Sequence, residues 1–262
     1  MNAKVFVAAF FLALIVSFSV SAEDKTTDWV KPCDGYGRDN LMHYCCKKSK
    51  TIPITFFSGL MSTGYVGQFL SQANQILEDH AVRLADAMAP VDPIHFPAYE
   101  DESGNRIDNF AKLCRAVNSV LLEGSLGVLG RGFRGRLAVV FMPYATDIRR
   151  GPDSNGMFIN DLHESCREAV EAEFGEDEAG EILPATVVIV NAYELEERTC
   201  FETLAHEVGH AVGLGHEGGR LSQANIMNAC QGGVDRDELN QTQVKKFCQA
   251  RRFNTNPNLP PY

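Results

Sequence analysis

The apolar positions of the chain fall into two rhythms, and together they predict most of its elements. Phe69, Leu70, Ala73, Ile76, Leu77, Leu84 and Met88 recur every three or four residues, the spacing that lines one face of a helix, and predict a single long amphipathic helix. Phe110, Leu113, Cys114, Val117 and Leu121 predict a second helix, and Leu162, Cys166, Val170 and Phe174 a third. Residues 51–58 (TIPITFFS) are short and rich in β-branched and aromatic side chains, which predicts a strand. Pro53 cannot donate to a ladder, so this strand is expected first in its sheet or at an edge. Residues 136–144 (RLAVVFMPY) hold a continuous apolar run that predicts a buried strand, residues 185–191 (ATVVIVN) predict the clearest strand of the chain, and residues 157–160 a shorter one. Asn240, with Gln243 three residues on, predicts a capped final helix carrying Val244, Phe247 and Cys248. Strands and helices mix without strict alternation, so the expected fold class is α+β. Residues 23–50 show no clear period and read as a loop-rich segment, and residues 254–262 as a flexible tail.

Residues 1–22 are set apart from the fold. A basic start at Lys4, an apolar run over 5–20 and the small residues Val20, Ser21 and Ala22 make a secretory signal sequence with its cleavage site. The run falls short of the roughly 20 residues that a bilayer span needs. Removing it takes away Lys4 and leaves the chain one charge more negative than its formal −10. An acidic chain of this kind is not expected to bind nucleic acid or anionic membrane, and Arg131, Arg134 and Arg136 read as a solvated turn. All 8 cysteines (Cys33, Cys45, Cys46, Cys114, Cys166, Cys200, Cys230 and Cys248) lie beyond the signal. An even number in an exported chain reads as disulfides whose pairing stays open, with a Cys200–Cys230 bridge as one guess. The acidic residues Glu100, Asp101 and Glu102 offer oxygen ligands for calcium but lack the spacing of a calcium loop, so a solvated loop is expected.

The chemistry gathers between residues 199 and 228. His206 and His210 stand four apart, which on a helix places both imidazoles on one face, with Glu207 beside them. Thr199 and Glu202 read as a capping box that starts this helix, and Gly213 as the residue that ends it, since glycine takes a left-handed conformation without steric cost. The chain can then return His216 as a third nitrogen ligand, leaving the fourth tetrahedral position open, the pattern of a catalytic zinc site. Histidines at such spacings can also merely pack or solvate a helix.

His206-Glu207-x-x-His210-x-x-Gly213-x-x-His216, followed by Met227 in Asn225-Ile226-Met227-Asn228, resembles the elongated zinc signature and Met-turn of the metzincin clan of metallopeptidases. The likeness is specific over about residues 199–230 and stays at clan level. Glu217 after the third histidine matches the astacins, Ala229 stands where they carry tyrosine, and Gly209 and Gly213 are nearer the adamalysin and matrixin patterns. The resemblance implies a twisted, mostly parallel sheet backed by long helices, with a small C-terminal subdomain after Gly213. With the signal at 1–22 and the cysteine-containing segment at 23–50 set apart, it implies a metallopeptidase domain at 51–253. It further implies one catalytic Zn2+ on His206, His210 and His216, with Glu207 as general base and Met227 as a structural Met-turn. The expected activity is endopeptidase cleavage of protein or peptide substrates by a secreted or periplasmic monomer. Substrate would lie extended along a sheet edge, with 157–160 and 185–191 both open as that edge. Lys31-Pro32-Cys33-Asp34-Gly35 offers a cysteine switch for latency, although the even cysteine count favours a disulfide for Cys33. The competing function is a secreted zinc-binding interaction protein, and the presence of Glu207 argues against it.

Overall fold

The structure is a computed structural model that describes residues 29–36, 42–58, 63–86, 107–127, 136–142, 156–191, 202–216, 224–228 and 237–250. Five strands, β3 (Lys50–Ser58), β4 (Val82–Asp86), β5 (Leu137–Met142), β6 (Gly156–Ile159) and β7 (Val187–Asn191), form one sheet in the order β4-β3-β5-β7-β6. Every pair is parallel except β6–β7. The strands β1 (Val30–Tyr36) and β2 (Met42–Cys46) make a separate antiparallel hairpin.

Helices cover both faces, which is why the central strand β5 is apolar at every position. Along β5, Leu137, Val139 and Phe141 enter one core while Ala138, Val140 and Met142 enter the other. The front core is closed by α1 (Thr63–Glu78), α5 (Thr203–Ala211) and α6 (Gln241–Gln249), through Phe69, Leu77, Leu204, Val208, Val244 and Phe247. The back core is closed by α2 (Phe110–Gly127), α3 (Leu162–Phe174) and the short α4 (Glu176–Gly180), through Leu113, Val117, Leu121, Leu162 and Val170. The result is a mixed α/β architecture with a mostly parallel sheet, in keeping with the α+β expectation.

Four expectations are corrected. The helix read through Met88 stops at Glu78, and Val82–Asp86 is instead a strand parallel to β3, while Met88 itself lies outside the described residues. Leu77 and Leu84 are seven residues apart, a spacing that fits two helical turns as well as the actual break. The turn carries no glycine, because Ala81 itself takes the left-handed conformation (φ 58°), so nothing in the sequence marks it. Pro53 lies in the first strand of the sheet in chain order, as expected, but that strand is interior and not at an edge. However, β3 pairs with β4 over Lys50–Ile54 and with β5 only from Ile54 onward, so the proline sits where the strand has a neighbour on one side. Val30–Tyr36 and Met42–Cys46, within the segment read as loop-rich, form the antiparallel pair β1–β2. Its order comes from covalent links that periodicity does not show, namely Cys33–Cys45 within the hairpin and Cys46–Cys248 to α6. A third disulfide, Cys114–Cys166, ties α2 to α3 in the back core. Arg136, read as part of a solvated turn, instead donates to Thr55 Oγ1 (2.7 Å) and to the Ile54 carbonyl, so it fastens β5 to β3.

The signal sequence, the acidic run at 100–102, Arg131, Arg134, Thr199, Cys200, Glu217, Ala229, Cys230 and the tail lie outside the described residues. The three disulfides fit export to an oxidising compartment. Among the described residues no helix is long and apolar enough to cross a membrane.

Candidate metal centre

Helix α5 carries the first two histidines. It is described from Thr203 with Glu202 before it, and the capping box expected of Thr199 and Glu202 lies outside the described residues because Thr199 does. Its other end follows the sequence closely. Gly213 is left-handed (φ 89°), its N–H donates to His210 (2.9 Å), and the Leu214 N–H reaches back to the Gly209 carbonyl (3.0 Å). This pair of bonds is a Schellman motif, which satisfies carbonyls that the helix end would otherwise orphan. It also turns the chain so that His216 meets the two helical histidines.

The three Nε2 atoms form a nearly equilateral triangle, at 3.1 Å for His206–His210 and 3.0 Å for each of the other two pairs. Backbone carbonyls fix the tautomers of the first two. His206 Nδ1 lies 2.6 Å from the Ile226 oxygen, and His210 Nδ1 lies 2.9 Å from the Leu214 oxygen. A carbonyl only accepts, so each Nδ1 holds the proton and each neutral ring turns an Nε2 lone pair toward the other. Two acceptors at this distance repel unless a cation lies between them. Zinc–nitrogen bonds of about 2.0–2.1 Å at tetrahedral angles would set the donors roughly 3.3 Å apart, close to what is seen. The residues therefore fit a metal ion, and among the described residues they are the one such group of three. His206 is buried, His210 partly so and His216 exposed, so the centre opens on the side of His216.

Glu207 is buried (1% exposed) one residue from His206, and its carboxylate rests on β6. A Cβ built on Gly156 would come within 2.6 Å of Glu207 Cγ and Oε1, so the missing side chain of Gly156 is the seat of that carboxylate. Met227 lies beneath the helix in the same way. A Cβ on Gly209 would meet its sulfur at 2.5 Å. Sequence reading thus named the three imidazoles, the acid, the helix-ending glycine and the methionine, and the fold brings all of them together.

The contacts that hold them were not foreseen. Gly156 and Gln243 come from distant elements, and the sequence marked Asn225 only as part of the Met-turn and Gln243 only as half of a capping box, which is indeed formed with Asn240. The Cys33 switch is excluded in this state, since Cys33 is bonded to Cys45. No protein-family model and no curated protein matches the chain.

Proposed function

We propose that the chain is an exported zinc endopeptidase of the metzincin type, with His206, His210 and His216 as metal ligands and Glu207 as general base. One observation carries the reading: three Nε2 atoms converge within 3.1 Å beside a buried carboxylate on the same helix. A zinc ion there would supply Lewis acidity, lowering the pKa of water beside it to about 7 and polarising a peptide carbonyl. Glu207 takes the proton of the attacking water and passes it to the leaving amine, a role that contributes about 10²–10⁴-fold in rate. The seat on Gly156 keeps the carboxylate from swinging away.

The sheet has two edges, and they differ. On β4, Asn74 engages Leu84 through both its N–H and its carbonyl (2.7 and 3.0 Å), which blunts that edge. On β6, no strand pairs with the outer side among the described residues, and the strand begins at the glycine that seats Glu207. Strand β7 lies inside the sheet, so of the two segments left open by the sequence, β6 is the one that can receive an extended peptide.

The test is peptide-library profiling of the purified chain, which registers even a narrow specificity. Cleavage is expected, abolished by chelator and restored by Zn2+. Glu207→Ala should lose about 10²–10⁴-fold in kcat while still binding metal. Metal binding without any cleavage would instead point to a secreted zinc-binding interaction protein.

A further inference from the structure

The metal ligand His206 is held by a carbonyl, and that carbonyl is held by something else. Residues 224–228 run beneath α5, and the backbone of this turn is fastened to residue 238 by two bonds, Ile226 N–H to the Glu238 oxygen and Glu238 N–H to the Ala224 oxygen (both 3.0 Å). Its side-chain anchor is an amide pair. Asn225 Nδ2 donates to Gln243 Oε1 (2.8 Å), and Gln243 Nε2 donates back to Asn225 Oδ1 (3.1 Å). Each oxygen takes a second proton: Asn225 Oδ1 from the Met227 N–H (2.9 Å), and Gln243 Oε1 from the Asn240 N–H (2.9 Å). Both side chains are almost wholly buried, at 3% and 1% exposure. A buried polar pair with both oxygens doubly satisfied fixes one geometry and penalises others, because any shift leaves a group unpaired where no water can replace it.

We propose that Gln243 is a positioning residue of the metal centre: through Asn225 it fixes the turn whose Ile226 carbonyl orients His206, and so governs how tightly the three imidazoles hold a cation. The inference rests on the metal-binding part of the function proposed above and is independent of peptide cleavage. Partners one step removed from a ligand typically change metal affinity by about 10–100-fold when lost. Gln243 lies 37 positions beyond His206 in the sequence and touches no ligand, so a role for it follows only from the bond chain Gln243–Asn225–Ile226–His206.

The experiment measures Zn2+ affinity of the full chain by competition with a chromogenic chelator, together with the visible spectrum of the Co2+ form. Gln243→Met keeps the length of the side chain and removes its hydrogen bonds. It should weaken Zn2+ binding about tenfold or more and alter the Co2+ spectrum. Gln243→Glu keeps the acceptor for Asn240 and removes the donor to Asn225. It is expected to weaken binding too, and it carries the test if Gln243→Met does not fold. Val244→Ala, one residue along and buried in the front core, should lower stability and leave affinity and spectrum unchanged. Wild-type affinity in both Gln243 variants, or losses that track stability equally in Val244→Ala, would overturn the inference alone. An unmodified chain that bound neither ion would overturn the metal centre along with it.

Discussion

The two sides of the sheet are built from the same strands and yet are held by different forces. Behind it, α2, α3 and α4 meet the strands through an apolar core with one disulfide, and the buried Asn118 is fully engaged, accepting from Leu183 N–H (2.8 Å) and donating to the Glu181 oxygen (3.2 Å). In front, the apolar core of α1, α5 and α6 is interrupted by His80, His206, Glu207, Asn225 and Gln243, all buried. The back is stabilised mainly by area removed from water, which is indifferent to direction. The front spends part of its volume on directional bonds that aim side chains. The difference teaches that stability and chemistry are separable here, and substitutions on either side can test that separation.

Leu121→Ala, in the back core, should have the largest effect on folding, about 2–5 kcal/mol from lost burial and the cavity left behind. Chemical denaturation measures that cost, and metal affinity of the folded fraction should not move. A parallel loss of affinity would erase the distinction between the two sides. Gly156→Ala should do the reverse. The clash is with Cγ, Cδ and Oε1 of Glu207, side-chain atoms that can turn aside without moving the backbone, so the larger effect falls on the placement of the proposed general base. A misplacement of this kind costs on the order of 100-fold in kcat, read by steady-state kinetics beside a denaturation curve. Gly209→Ala should touch both properties, because its Cβ meets the buried sulfur of Met227. Overpacking there costs about 1–3 kcal/mol and should also weaken Zn2+ binding.

The smallest effect concerns pH. His80, at the end of α1, is buried with Nδ1 2.7 Å from the Tyr44 oxygen, and among the described residues its Nε2 has no hydrogen-bond partner. Burial is the main cause that lowers its pKa below the ordinary 6.5, with His43 adding to it and the Tyr44 bond, Asp79 and Asp237 opposing it. The unfolded chain therefore takes up this proton first. The contribution to stability is complete above about 6.5 and declines as pH falls from there toward the folded pKa. His80→Phe should flatten the unfolding midpoint over that interval, and an unchanged slope would assign the acid sensitivity elsewhere.

The same contrast explains what could be read before the fold was known. The back helices and buried strands announce themselves by period, since Leu113, Val117 and Leu121 need only be neighbours on one helix. The three histidines announce themselves because i, i+4 spacing and a glycine turn are local facts. The supports do not. Gly156 seats Glu207 across the gap between β6 and α5, and Asn225 meets Gln243 across eighteen positions, relations made by tertiary packing alone. Ala81 shows the remaining failure, a left-handed turn at a residue whose identity gives no hint of it.

The Cys46–Cys248 bridge joins residues 202 apart in sequence, and so makes most of the chain a closed ring. A ring cut once stays a single piece. If the molecule nicks itself or is nicked by a neighbour between those two cysteines, both fragments remain bound, with one band on a non-reducing gel and two after thiol treatment. Wear on the chain would thus be invisible to any measurement of size that leaves the cystines intact.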